Sequence, residues 1–101
     1  MKVRAVVYAP EAQEDLNALY DRIAEAAAPA TAIGYIDRIE AFCSGLSVAS
    51  ERGQLRNDIR PGLRTVGFER RITIAFAVEP ERVVILRLFY GGRDWEELID
   101  N

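Results

Sequence analysis

All but one of the thirteen basic residues in this sequence are arginine, the other is Lys2, and histidine is absent. Its absence removes the side chain that most often takes and returns a proton near neutral pH, and with it His-based nucleophilic triads and His-containing zinc sites. Cys43 is the single cysteine. It falls among apolar residues at helical spacing, with no cation beside it to hold a thiolate, so it reads as a buried structural thiol and not a nucleophile. Gly91-Gly92 lacks the spacing of a phosphate-binding loop and reads as a turn. The acids Asp94, Glu96, Glu97 and Asp100 read as the solvated face of a short helix, so neither metal nor cofactor is expected. What remains is arginine chemistry: Arg52, Arg56, Arg60, Arg64, Arg70 and Arg71 stand against Glu51, Asp58 and Glu69, a local positive excess in a chain of net charge −3. Arginine favours bidentate and stacked contacts. The overall acidity argues against nonspecific binding to nucleic acid, and no sequence-specific contact with it is expected.

The elements that must position these groups follow from patterning. Residues 3–8 are rich in β-branched side chains and read as a strand. Pro10 opens a helix over about 10–27, with Leu16, Leu19, Tyr20 and Ile23 at helical spacing and Glu11 and Glu14 near its positive end. Ala9 is a poor residue for the cap position. Pro29 ends that helix and starts another over about 30–48, whose stripe is Ile36, Ile39, Cys43 and Leu46, widened by Tyr35 and Phe42. Two amphipathic helices on so short a link form an antiparallel hairpin. The polar stretch 50–62 reads as a surface loop. Strands follow at 63–68, 71–78 and 82–90, the last apolar at nearly every position and so expected to be central. Asp94 caps a short final helix carrying Trp95, Leu98 and Ile99.

The predicted fold class is therefore α+β: strand, helix, helix, three strands and a short C-terminal helix, in two layers. If the helical hairpin returns the chain to the end where the first strand finished, that strand joins beside the last in an antiparallel sheet of about four strands. One face then carries the hairpin, and the other, with Thr73, Ala75 and Ala77, lies open unless something covers it. At 101 residues, half of them hydrophobic, the chain fits one domain, 1–101. No apolar run approaches the roughly 20 residues of a membrane span, and the lone cysteine agrees with a reducing compartment, so a cytoplasmic protein is expected.

Pro10-Glu11-Ala12 followed by Asp15-Leu16 and Tyr20, then Asp37-Arg38-Ile39-Glu40, resembles the helical hairpin of the RelE/ParE toxin superfamily. Glu51-Arg52-Gly53, Arg60-Pro61-Gly62-Leu63-Arg64, and Val84-Ile85-Leu86-Arg87 running to Gly91-x-Arg93-Asp94 resemble its ParE branch, over about residues 3–98. The resemblance implies the toxin of a type II toxin–antitoxin system, neutralised by a ParD-like antitoxin that carries a ribbon-helix-helix DNA-binding part. It also implies that the toxin inhibits DNA gyrase through protein–protein binding, on the fold of ribosome-dependent RNA-cleaving toxins but without their catalytic side chains. Two positions depart from the pattern: Ala9 stands where many relatives have serine, and Tyr90 where they have histidine.

On this reading Arg64, Arg71, Arg87 and Arg93 form a partner-facing electropositive surface beside Tyr90 and Trp95, arginine and aromatic residues being those favoured at interface hot spots. The competing role for these arginines is internal ion pairing with the acids of the tail. The antitoxin's C-terminal segment is expected to fold on binding over Ile23, Tyr35 and the Thr73, Ala75 and Ala77 face. The alternative function is a RelE-type ribosome-dependent endoribonuclease. It needs an acid–base pair that is hard to assemble here without histidine and with a single lysine. A third reading is a toxin that has lost its activity and only sequesters the antitoxin.

Overall fold

A computed structural model describes residues 3–91. The expected C-terminal helix, with Arg93 and Trp95, lies outside the described residues. The elements run β1 (Ala5–Tyr8), α1 (Pro10–Ala26), α2 (Pro29–Ser44), a 3-10 turn (Gly45–Ser47), β2 (Gln54–Leu55), β3 (Leu63–Phe68), β4 (Ile72–Val78) and β5 (Arg82–Tyr90). The helical hairpin and the three later strands lie where the patterning puts them. The sheet differs from expectation: it has five strands in the order β1-β5-β4-β3-β2, and β1 runs parallel to β5, with Ala5 opposite Arg82 and Tyr8 opposite Ile85. It is a mixed sheet, not an antiparallel one.

The reason lies in the path of the helices. β1 spans only about 13 Å, whereas α1 is about 25 Å long, and α1 carries on in the direction of β1. Ala9 still belongs to the sheet, donating its N–H to the Ile85 carbonyl at 2.9 Å. Asp15 then meets Leu88, and Arg22 meets Tyr90, so α1 travels along β5 beyond the point where β1 has stopped. α2 brings the chain back to the start of β1, where the Ser47 carbonyl accepts the Arg4 N–H at 2.8 Å. Three hairpin strands from there leave β5 pointing the same way as β1. Ala9 has no side-chain cap, but its backbone has a place in the ladder and Pro10 brings no N–H of its own to satisfy.

One core fills the space between hairpin and sheet: Ala12, Leu16 and Leu19 from α1, Tyr35, Ile39 and Cys43 from α2, and Ile72, Ile74, Phe76, Val83, Ile85 and Leu88 from the sheet. Full burial of each large apolar side chain contributes about 1.5–3 kcal/mol. β5 switches parity within this layer. Ala75 pairs with Arg87 while Phe76 pairs with Ile85, so Leu86 is a bulged extra residue. Before it Val83 and Ile85 point to the helices, and after it Leu88 does. That shift explains why the strand is apolar at nearly every position. The outer face is not left open. Leu63, Ala75 and Phe89 form a small second core, packed by Leu86 and by Ile59 from the 56–62 loop. Ala75 has no exposed surface, and Thr73 and Ala77 are half-buried, which corrects the expectation of an open face.

Among the described residues, the part of β5 beyond Ile85, the partner of Tyr8, has no neighbouring strand on its β1 side. The Asp15 carboxylate closes that edge, accepting the Leu88 N–H at 2.9 Å and both arms of the Arg87 guanidinium at 2.8 and 3.1 Å. At the other end of the sheet Arg4 donates to the Glu79 carbonyl and to Ser50 Oγ, tying the 3-10 region to the β4–β5 turn. The β3–β4 connection is a two-residue turn in which Glu69 and Arg70 both take positive φ, 50° and 63°, and the Phe68 carbonyl accepts the Arg71 N–H. This mirror-image turn suits the twist of a hairpin, but it normally takes asparagine and glycine. In the core, Tyr8 and Cys43 face each other across β1 and α2. Burial pushes the Cys43 thiol up to about 11, and burial first, then Cys43, pushes the Tyr8 hydroxyl well above its usual range.

Three outcomes follow for stability. Asp15→Ala removes the acceptor of a buried N–H and of a partly buried cation together, and should lower unfolding free energy by about 2–4 kcal/mol in urea titration. Arg70→Gly relieves a left-handed residue and should raise it by about 0.5–1 kcal/mol. Both Tyr8 and Cys43 hold their protons more tightly folded than unfolded. The Cys43 contribution is therefore complete below about pH 9 and lost as pH climbs through about 11, and that of Tyr8 is lost at higher pH still. Circular dichroism should show alkaline unfolding that the Tyr8→Phe, Cys43→Ala double variant shifts to higher pH.

Candidate functional site

Where the turn end of the helical hairpin meets the β3–β4 turn, a cleft of roughly 290 Å3 is lined by Ile23 and Thr31, Tyr35 and Arg38, and Glu69, Arg71 and Tyr90. Each element supplies a wall for a local reason. Ile23 is the last apolar residue of the α1 stripe, beyond the reach of the sheet. Thr31 and Tyr35 lie one turn apart at the start of α2. The tight β3–β4 turn projects Glu69 toward α2, where the Arg38 guanidinium grips both carboxylate oxygens at 3.1 and 3.2 Å. Both partners are largely exposed, so the pair adds little to stability; it fixes the rim. Arg71 and Tyr90 are neighbours across the β4–β5 ladder, since Ile72 pairs with Tyr90 and the Gly91 N–H donates to the Arg71 carbonyl at 2.8 Å.

The aromatic walls are held from outside. The Arg22 guanidinium stacks 5.1 Å from the Tyr90 ring, and Arg38 lies 5.0 Å from that of Tyr35. Tyr35 packs its ring edge-on to Phe68 at 6.0 Å. Its residue is 8% exposed, and its buried hydroxyl finds no hydrogen-bond partner among the described residues. Burial raises the Tyr35 pKa, as does the nearby Glu69 carboxylate, against smaller opposing effects of Arg71 and Arg38. The hydrogen-bonded Arg38 guanidinium draws Glu69 below the usual carboxylate range. The Arg71 side chain is exposed and has no ion pair among the described residues. The cleft thus combines a hydroxyl donor, a cation and apolar walls. A shallower groove continues past Tyr90 along α1, lined by Asp15, Ala18, Leu19, Arg22, Ile72 and Leu88.

Two separate groups of expected contact residues converge here. Ile23 and Tyr35, expected to lie under an antitoxin segment, share the cleft with Arg71 and Tyr90, expected on an electropositive surface. The other arginines go elsewhere. Arg87 is paired internally with Asp15, on α1 and not in the tail, and it stacks 4.9 Å from the Phe89 ring. Arg64 is four-fifths buried and donates to the Glu51 and Arg52 carbonyls at 3.2 and 3.4 Å, which anchors the 51–53 segment to β3. Gly53 in that segment has φ 74°, and a Cβ there would run into the Thr65 carbonyl, so the Glu-Arg-Gly sequence is a close-approach device. Thr73 lies on a different surface with Gly53, Gln54, Arg56 and Thr65. Thr31, Arg38 and Glu69 belong to the cleft without having been expected there. Arg38 and Glu69 are 31 residues apart, and nothing local in the sequence announces their pairing.

Among the described residues no cluster of His, Cys, Asp and Glu is arranged to hold a metal ion, and no helix is long and apolar enough to cross a membrane. No curated protein matches the chain significantly. Among solved structures it is similar to a chain of the "Chromosomal ParDE TA system from P. aeruginosa", at 26% identity and a TM-score of 0.77, over 88% of this chain and 97% of that one. The family described as "ParE toxin of type II toxin-antitoxin system, parDE" matches residues 6–95, which take in α1 and α2 and all five strands. The mixed sheet, the helical hairpin crossing it and the order of their motifs are thus those of a known family, and this chain belongs to the ParE toxins of type II toxin–antitoxin systems.

Proposed function

We propose that this ParE toxin is held inactive by a ParD-like antitoxin and that, once released, it inhibits DNA gyrase by protein–protein contact. A toxin of this family acts through contact and not by catalysis. The observation that carries the reading for this chain is the Tyr35, Arg71 and Tyr90 cleft, in which an unsatisfied hydroxyl donor, a cation and two aromatic rings gather at one surface. Such a combination binds a protein segment well. It is a poor acid–base set, because burial raises the Tyr35 hydroxyl and the neighbouring Arg38 is held charged by Glu69, so neither exchanges a proton near pH 7. The acidity of the chain also opposes docking on a polyanionic ribosome.

Two parallel assays test this. In gyrase supercoiling, the purified protein should block the reaction and accumulate cleaved DNA, and prior addition of a ParD-like antitoxin should restore it. With translating ribosomes it should leave transcripts intact. Site-specific transcript cleavage that one ionisable-residue substitution abolishes would show a ribosome-dependent nuclease instead.

A further inference from the structure

The Tyr35 hydroxyl is the most unusual polar group among the described residues. A buried hydroxyl left without a partner costs stability, and the same ring shape without the oxygen would avoid that cost. Its surroundings say what it lacks. The nearest acid, Glu69, is committed to Arg38 through both oxygens, while Arg71 stands exposed at the rim with no ion pair among the described residues. Arg22 adds a third positive charge behind the Tyr90 ring. With one acid, Glu69, against two arginines, Arg38 and Arg71, the cleft lining holds a net positive charge in a chain whose total is −3. Ile23 and the two tyrosine rings give the seat apolar walls, and a partner that covers it would strengthen any charge-assisted bond formed there.

We propose that this cleft is the anchor point for one carboxylate side chain, an aspartate or glutamate of the antitoxin, which accepts the Tyr35 hydroxyl proton in a hydrogen bond and lies against the Arg71 guanidinium. The proposal rests on the reading that a ParD-like antitoxin is the neutralising partner. A free anion would leave the apolar walls unused; a carboxylate on a peptide brings neighbouring apolar groups to Ile23 and into the groove that continues over Leu19 and Leu88. The Tyr35 hydroxyl is covered in the free toxin, so seating the carboxylate requires side chains at the cleft to move aside, and the exposed Arg71 side chain at the rim can do so rapidly.

The test uses purified full-length toxin and ParD-like antitoxin, with affinity measured for wild type, Tyr35→Phe and Arg71→Gln. Tyr35→Phe should weaken the complex about tenfold, the worth of one hydrogen bond to a charged group, while the free toxin melts no lower than wild type. Arg71→Gln, on an exposed side chain, should weaken it too and make binding less sensitive to salt. Each acidic residue of the antitoxin is then changed to its amide. One of these changes should cost affinity with wild-type toxin and clearly less in the Y35F background, where only the Arg71 contact is left to lose. If Y35F binds as wild type does, or if no acidic position couples to it, the anchor is refuted while the antitoxin reading stands. If wild-type toxin does not bind the antitoxin at all, the reading beneath the proposal falls, and the proposal with it.

Discussion

A single carboxylate decides how this molecule is put together. β5 is nine residues long and β1 is four, so more than half of one edge of β5 has no strand beside it. A bare edge at that position would leave the Leu88 N–H without an acceptor and invite another chain to pair there. Asp15 removes both problems. It supplies the missing acceptor from the first turns of α1, and Arg87 neutralises its charge by reaching round the strand from the outer face. The helix must therefore lie along the uncovered length of β5 and cannot fold back over β1. The parallel placement of β1 beside β5 follows from that path.

The same path locates the cleft. Because α1 advances past the end of β1, the turn into α2 hangs over the far end of the sheet, beside the β3–β4 turn. Arg38 and Glu69 join the two, and the space between them is what the hairpin and the sheet fail to fill. The β3–β4 turn has two non-glycine residues in left-handed conformations. Strain of that kind is sustained only where the surrounding structure demands the geometry. Here it aims Glu69 at α2 and sets Arg71 beside Tyr90.

Function in such a protein rests on surface chemistry. The thiol and phenol with the largest upward shifts are Cys43, sealed in the core, and Tyr8, half-buried against it, where burial makes both poor nucleophiles. Several of the arginines are occupied structurally, holding the 51–53 segment, the edge of β5 and the β4–β5 turn. Arginine suits this work because its planar fork makes several bonds at once while its stem packs against apolar surface. The contact chemistry is left to the few groups at the turn end of the hairpin.

Periodicity and punctuation in the sequence determined the elements. Pro10 and Pro29 start the helices, the Leu16, Leu19 and Ile23 stripe sets the buried face, alternation from Ile72 to Val78 marks a strand, and the ParE motifs mark the family. These are local properties, carried by each residue's backbone preference and by spacing along one element. Tertiary structure alone decided the direction of β1 relative to β5, because helix path depends on which edge groups need a partner. It also decided that Arg87 serves Asp15 rather than a partner, that Ile59 covers Ala75, and that Tyr35 keeps a hydroxyl with nothing to bond. Each depends on residues far apart in the chain meeting in space, and single-residue preferences carry no record of such meetings.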